Sequence, residues 1–254
     1  MLLPRIIPCL LIHNGGLYKT VEFGNPKYLG DPLNAVRIFN EKEVDELIVL
    51  DIDASRYNKP PDYSMIQNLA NECRMPLCYG GGVNSIDQFE KIVSLGVEKI
   101  ACSSSIVENP DLVDLASKSI GSQSVVCAVD IKKTGFLKKI EVVTHNATKK
   151  TGKSPVDWAK ELQDRGAGEL LLNFVDKDGK MNGYDYDFID RIYSELTIPI
   201  SVIGGAGSLD DIKYLFKRYG IIGAGVGSLF VFKGRLKAVL INYPSYKEKE
   251  SLLE

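Results

Sequence analysis

Short apolar runs rich in β-branched residues alternate with amphipathic stretches along the whole chain. The runs are RIIPCLL (5–11), ELIVLDI (46–52), PLCY (76–79), KIACS (99–103), SVVCAVD (124–130), ELLLNFV (169–175), PISVI (199–203) and IGAGVG (222–227). Each is short enough for a strand and too uniformly apolar for a strand with one face in water, which predicts a parallel sheet buried on both faces. Between them, stretches such as LNAVRIFNEKEV, MIQNLANECR, IDQFEKIVSLG, SPVDWAKELQDRGA and DDIKYLFKRYG repeat apolar residues at helical spacing. Eight strand–helix units in one α/β chain predict a closed (β/α)8 TIM barrel. The segment 133–155 is long for a strand-to-helix loop and is expected to hold a small hairpin. The charged tail, 244–254, is expected to fray.

The chain also repeats itself. PLCYGGGVNSID (76–87) returns 123 residues later as PISVIGGAGSLD (199–210), and the same shift lays Glu46 on Glu169 and Ser105 on Ser228. Near the start of each half, IPCLLIH (7–13) is similar to VCAVDIK (126–132), which sets Leu11 against Asp130. A repeat this long suits a duplicated half-barrel, with halves at about 1–120 and 121–245 of one domain spanning 1–254.

Composition narrows the function classes. With 31 basic and 33 acidic residues the net charge is −2, so there is no basic footprint for nucleic acid. The apolar N-terminus is broken by Pro4, Arg5 and Pro8, and reads as a first buried strand rather than a membrane span. Five cysteines without a Cys-x-x-Cys pair, most inside apolar runs, suit reduced core thiols of the cytoplasm. His13 and His145 are the two histidines; they form no cluster with cysteine, so neither a metal nor another cofactor is expected.

Candidate chemistry collects where a parallel barrel builds its site, at the C-terminal strand ends. Gly80-Gly81-Gly82 and Gly204-Gly205 follow the third and seventh strands, and Ser103-Ser104 and Gly227-Ser228 follow the fourth and eighth. Glycines let backbone N–H groups approach an anion and serine hydroxyls complete a cradle, so two anion sites are expected, for a phosphorylated small molecule. Asp130 closes the apolar run VVCAV, where a carboxylate serves as general acid or base. Asp178-Gly179 ends the sixth strand. Lys19, in the loop after strand one, is placed to meet an anionic substrate. At the opposite face Arg5, Glu46, Lys99 and Glu169 each begin an apolar run. They form either a charged ring across the barrel bottom or a set of strand ends wetted by solvent; spacing leaves both open. Glu98, beside Lys99, is expected to pair with a base on a partner.

These residues resemble the cyclase subunit of imidazole glycerol phosphate synthase, the HisF-type barrel of histidine biosynthesis, over nearly the whole chain. The resemblance rests on RIIPCL, Lys19, GDP (30–32), DELIVLDIDAS (45–55), GGG (80–82), VENP (107–110), GSQSVV (121–126), DKDG (176–179), GYD (183–185) and GGAG (204–207). It implies a lyase-type subunit of a glutamine amidotransferase, with a HisH-type glutaminase docked on the barrel bottom as a heterodimer. Ammonia then crosses the barrel past a salt-bridged gate, matched here by Arg5, Glu46, Lys99 and Glu169. It further implies a substrate phosphorylated at both ends, bound at one end by Gly82, Ser103 and Ser104. The other end falls to Asp178, Gly179, Gly205, Gly227 and Ser228. Two aspartates and a first-loop lysine do the family's proton chemistry; Asp130 and Lys19 match.

The second aspartate is missing. Its position is Leu11, within LLIHNGG, and Ser103-Ser104 replaces the usual Asn-Thr. This combination is similar to HisF-like paralogues of bacterial surface-polysaccharide clusters. Those imply ammonia delivery for an acetamidino sugar, with a separate amidotransferase enzyme as a further partner. The alternatives are an authentic histidine-pathway cyclase and a non-catalytic module that only conducts ammonia. A related isomerase barrel with two phosphate sites needs no gate, and the four gate charges argue against it.

Overall fold

The computed structural model describes residues 3–136 and 138–253. Leu137, inside the segment expected to hold a hairpin, lies outside the described residues, as do Met1, Leu2 and Glu254 at the ends of the expected domain and tail. The chain opens with β1 (Arg5–His13), a hairpin of β2 (Gly16–Val21) and β3 (Gly24–Gly30), and α1 (Pro32–Glu41). Then come β4 (Leu47–Asp51), α2 (Tyr63–Glu72), β5 (Leu77–Gly80), α3 (Ile86–Ser94), β6 (Lys99–Cys102), and the helices α4 (Ser104–Glu108) and α5 (Asp111–Ile120). The second half runs β7 (Val125–Thr134), β8 (Lys139–Thr144), β9 (Lys149–Lys150), α6 (Pro155–Asp164), β10 (Glu169–Phe174), α7 (Tyr186–Tyr193), β11 (Ile200–Ile203), α8 (Leu209–Tyr219) and β12 (Gly223–Val226). It closes with α9 (Ser228–Val231), a short hairpin of β13 (Phe232–Lys233) and β14 (Ala238–Val239), and α10 (Tyr246–Leu253).

Strands β1, β4, β5, β6, β7, β10, β11 and β12 pair in parallel in that order, and β12 returns to β1, so the sheet closes as a (β/α)8 barrel. Strand alternation divides the core in two. Ile7, Cys9, Leu11, Ile48, Cys78, Ala101, Val126, Leu171 and Ile203 fill the bore. Their sequence neighbours, such as Ile6, Leu10, Leu47, Val49 and Leu170, face outward into the larger layer under the helices. Helix starts follow local chemistry: Asp31, Asp62, Ser154 and Asp185 each accept a backbone N–H three residues on, and Pro32 and Pro155 stand at first-turn positions. Ser208 and Asp211 form a reciprocal capping box on α8.

The expected hairpin in 133–155 is β8–β9, paired antiparallel to the extension of β7. A second hairpin, β2–β3, was unforeseen, because GLYKTV and GNPKYLG carry too many polar residues to read as strands. The tail does not fray. It forms α10, which buries Leu252 to 5% exposure, gives Lys213 Nζ a carbonyl at Ser251 (2.8 Å), and pairs Lys249 with Asp45 (3.0 Å).

Candidate active site and the charged ring below it

At the barrel bottom the four charges form a ring. Arg5 pairs with Glu46 and, at 2.7 Å, with Glu169; Lys99 Nζ lies 2.9 Å from a carboxylate oxygen of each. The carboxylates are buried, at 3% and 5% exposure, and Ser201 Oγ donates to Glu169. Burial alone would raise the Glu169 pKa, but the attraction of Arg5 and Lys99 outweighs it and holds the group below the ordinary glutamate value. The strand starts are therefore a paired ring, not wetted ends. Glu98 is exposed, with its Oε2 accepting the Leu77 N–H at 2.8 Å.

At the mouth, Asp130 is buried on β7. Its Oδ2 accepts from Ser103 Oγ at 2.8 Å and its Oδ1 from Asn173 Nδ2 at 2.9 Å. Burial pushes the carboxyl up to about 6, the two hydrogen bonds to the charged form only partly offsetting it. That places it for proton transfer near neutrality. The repeat makes the contrast with the other half direct. Asp130 stands opposite Asn173 in the β7–β10 register; Leu11 stands opposite Leu50 in the β1–β4 register, and the 123-residue shift carries Leu50 to Asn173. In the strand register Ser103 corresponds to Gly227, each standing just before the helix that follows its strand, so a polar triad in one half is matched by Leu11, Leu50 and Gly227 in the other.

The two glycine turns are equivalent in space as well as sequence. A Cβ on Gly81 (φ +136°) would lie 2.7 Å from the Asp51 carbonyl oxygen, and one on Gly204 (φ +96°) 2.6 Å from that of Phe174, the residue the repeat sets on Asp51. Gly82 and Gly205, also at positive φ, abut the carbonyls of Lys59 and Gly183. Both turns therefore need glycine. The serines beside them differ. Ser103 is turned to Asp130, and Ser104 Oγ accepts the His145 N–H at 3.1 Å. Ser228 Oγ is buried and, among the described residues, has no partner.

Lys19 was expected on an open loop. It lies instead on β2, 7% exposed, with its ammonium on Asp178 and its chain against Gly227. Asp178, expected at a phosphate, is engaged otherwise: its carboxylate also accepts from Thr20 Oγ1 (2.7 Å) and the Phe23 N–H (3.2 Å), fastening the β2–β3 hairpin over the mouth. Gly179 (φ +72°) fits beneath the same hairpin, against the Thr20 carbonyl.

Two cavities open at the mouth. One, of about 110 Å³, is lined by Gly80, Gly81, Ser103, Ser104 and Asp130; the other by Lys19, Gly204, Gly205, Gly227 and Ser228. Leu11, Phe23, Leu50 and Asn173 line both. Three of these residues were not foreseen as site residues. Phe23 and Leu50 carry no chemistry in sequence. Asn173 had a readable signal, as the one polar residue after Glu169 in ELLLNFV. Asn146, at the tip of β8–β9 with φ +54°, also reaches the first cavity and donates to the Ile52 carbonyl at 2.6 Å. Among the described residues no group of three or more His, Cys, Asp or Glu is placed to hold a metal, and no helix is long and apolar enough to cross a membrane.

A family model described as histidine biosynthesis protein matches residues 5–237. Relatives align along nearly the full chain. A protein of Leptospira interrogans, provisionally named imidazole glycerol phosphate synthase subunit HisF, is 57% identical over 99% of both chains. One of Vibrio vulnificus, provisionally named subunit hisF3 of that synthase, is 51% identical over 100% of this chain and 98% of its own. The imidazole glycerol phosphate synthase subunit HisF of Natranaerobius thermophilus is 36% identical over 98% of this chain and 99% of its own.

Proposed function

The chain belongs to the histidine biosynthesis protein family, and from that premise we propose that it is the ammonia-receiving synthase subunit of a glutamine amidotransferase with an altered acceptor. A HisH-type glutaminase docks on the bottom face. The ring of Arg5, Glu46, Lys99 and Glu169 stands at the entrance. Above it the bore of Ile7, Cys9, Ile48, Cys78, Ala101, Val126 and Leu171 offers an apolar path. A neutral ammonia crosses such a path at far less cost than ammonium, whose charge would be stranded in low dielectric. At the mouth the nitrogen meets a phosphate-bearing substrate held by the two glycine–serine turns, and Asp130 takes a proton.

The observation that carries the reading is the pairing of an intact ring below with a half-apolar mouth above. Leu11 and Leu50 cannot transfer protons, so a reaction needing an acid and a base on opposite sides of the substrate lacks one of them. On the resemblance of Leu11 and the surrounding LLIHNGG to the HisF-like paralogues, the altered acceptor is a surface-polysaccharide sugar, amidinated with a separate amidotransferase enzyme as a further partner.

The test is a direct assay with the histidine-pathway substrate and ammonium salt, without glutaminase. Loss of one member of an acid–base pair costs about 10²–10⁴-fold in rate. We expect turnover reduced to that extent relative to an authentic HisF, with Leu11→Asp recovering part of it. Turnover equal to an authentic HisF would return the protein to histidine biosynthesis, the second reading, which the full-length match to the N. thermophilus subunit favours.

A further inference from the structure

Asn173 has one half of its amide accounted for and the other free. Its Nδ2 donates to Asp130, while Oδ1 is buried in a residue 7% exposed and, among the described residues, finds no donor. A buried amide oxygen left unpaired costs on the order of 1–3 kcal/mol. Turning the amide over would not relieve this, because Oδ1 would then face the Asp130 carboxylate. The residue lines both cavities at the mouth, and its unpaired oxygen is buried beside them. The side chains shared by both cavities there are otherwise Leu11, Phe23 and Leu50, none of which accepts a hydrogen bond. Beside it, Asp130 has each oxygen engaged by one donor and lone pairs to spare.

A ligand group that suits this pair has several N–H donors and little else, and in the function proposed above it arrives through an apolar bore. We propose that Asn173 Oδ1 receives the nitrogen nucleophile itself, accepting an N–H from ammonia and orienting its lone pair toward the substrate beside Asp130. In the step that follows, the nitrogen lone pair forms the new C–N bond at a carbon doubly bonded to oxygen or nitrogen. The π pair of that double bond moves onto the heteroatom, and one N–H proton passes from the nitrogen to the Asp130 carboxylate. Asn173 exchanges no proton. It offsets the cost of its own burial only when the nitrogen is present, which selects for the loaded state. The assignment of ammonia as the occupant rests on the function proposed above.

The probe is methylammonium chloride, whose methyl group distinguishes it from water in a crystal. Crystals soaked in it should show the nitrogen within hydrogen-bond distance of both Asn173 Oδ1 and Asp130. In solution, side-chain amide resonances should titrate saturably. Asn173→Leu should weaken binding tenfold or more. Asn173→Gln, which keeps an amide oxygen to accept and an amide N–H to offer Asp130, should retain it and guards against a variant that merely fails to fold. Binding unchanged by Asn173→Leu, equal loss in both variants, or density away from Asn173 would each overturn the proposal. A glutaminase complex that forms while the probe avoids Asn173 sinks this inference alone. A probe that binds as expected in a chain no glutaminase recognises sinks the proposed function and leaves the nitrogen site standing.

Discussion

At the scale of single residues the site turns on the environment of Asp130. Its carboxyl is raised to about 6 by burial, against an unfolded value near 3.9. The folded state therefore binds more protons than the unfolded state between those two values. Stability contributed by this group is present below the unfolded value and lost as pH rises through the folded one. Removing the ionisable group, as in Asp130→Asn, should stabilise the protein at pH 7 by up to about 3 kcal/mol, with the difference vanishing near pH 4. Urea titrations at the two pH values measure it; equal effects at both would show that the carboxyl is not perturbed. Ser103→Ala removes a donor to the charged form and should move the Asp130 midpoint higher, which a pH titration of the carboxyl carbon resonance would follow. Asp130 stood out in sequence because a carboxylate ending an apolar strand has few structural uses. Asn173 was harder to read, since an asparagine is uncharged and its role appears only once register sets it beside Asp130.

At the scale of elements, period decided what was legible. The eight barrel strands are apolar on both faces and the helices repeat at helical spacing, so their existence followed from pattern alone. The β2–β3 hairpin did not, because what fixes it is not an apolar face but Asp178, 155 to 159 residues away in sequence. Lys19, Thr20 and the Phe23 N–H converge on that one carboxylate. Asp178→Ala should release the hairpin while leaving the barrel intact: amide exchange across 16–30 should accelerate, with protection of β4 and β10 unchanged. Uniform protection in the variant would show that Tyr18, Tyr28 and the β1–β2 pairing hold the hairpin without the latch. The tail helix was missed for a related reason. Its composition is charged, and only its fit against α8 and Asp45 orders it. Leu252→Ala should lower stability by about 2 kcal/mol, which for a chain of this size is a drop of roughly 4–8 °C in melting temperature.

At the scale of the whole molecule, the ring of four charges joins strand starts from both halves. Arg5 and Lys99 come from the first half and Glu169 from the second, while Glu46 and Glu169 are one position in the repeat. Each base touches both acids, so no single pair can be removed without leaving a buried charge short of a partner. Breaking a buried pair in this way costs about 3–5 kcal/mol. Arg5→Ala should therefore melt roughly 10 °C or more below the parent at neutral pH. The sign with pH follows from Glu169, whose folded value is depressed. Its contribution is present above the unfolded glutamate value of about 4.3 and is lost as pH falls through the lower folded value. The parent should lose stability steeply below about pH 4, and Arg5→Ala should lose less there, because part of that term is already gone. Replacing all four charges with apolar residues of similar volume would be far less damaging than removing one, since the desolvation cost goes with the charges. A ring kept charged at the bottom of an apolar bore, where apolar residues would hold as well, is the observation behind the entrance proposed above. Should Arg5→Ala cost less than about 1 kcal/mol and leave the acid limb unchanged, the ring would be solvated in solution and its claim to guard an entrance would fall with it.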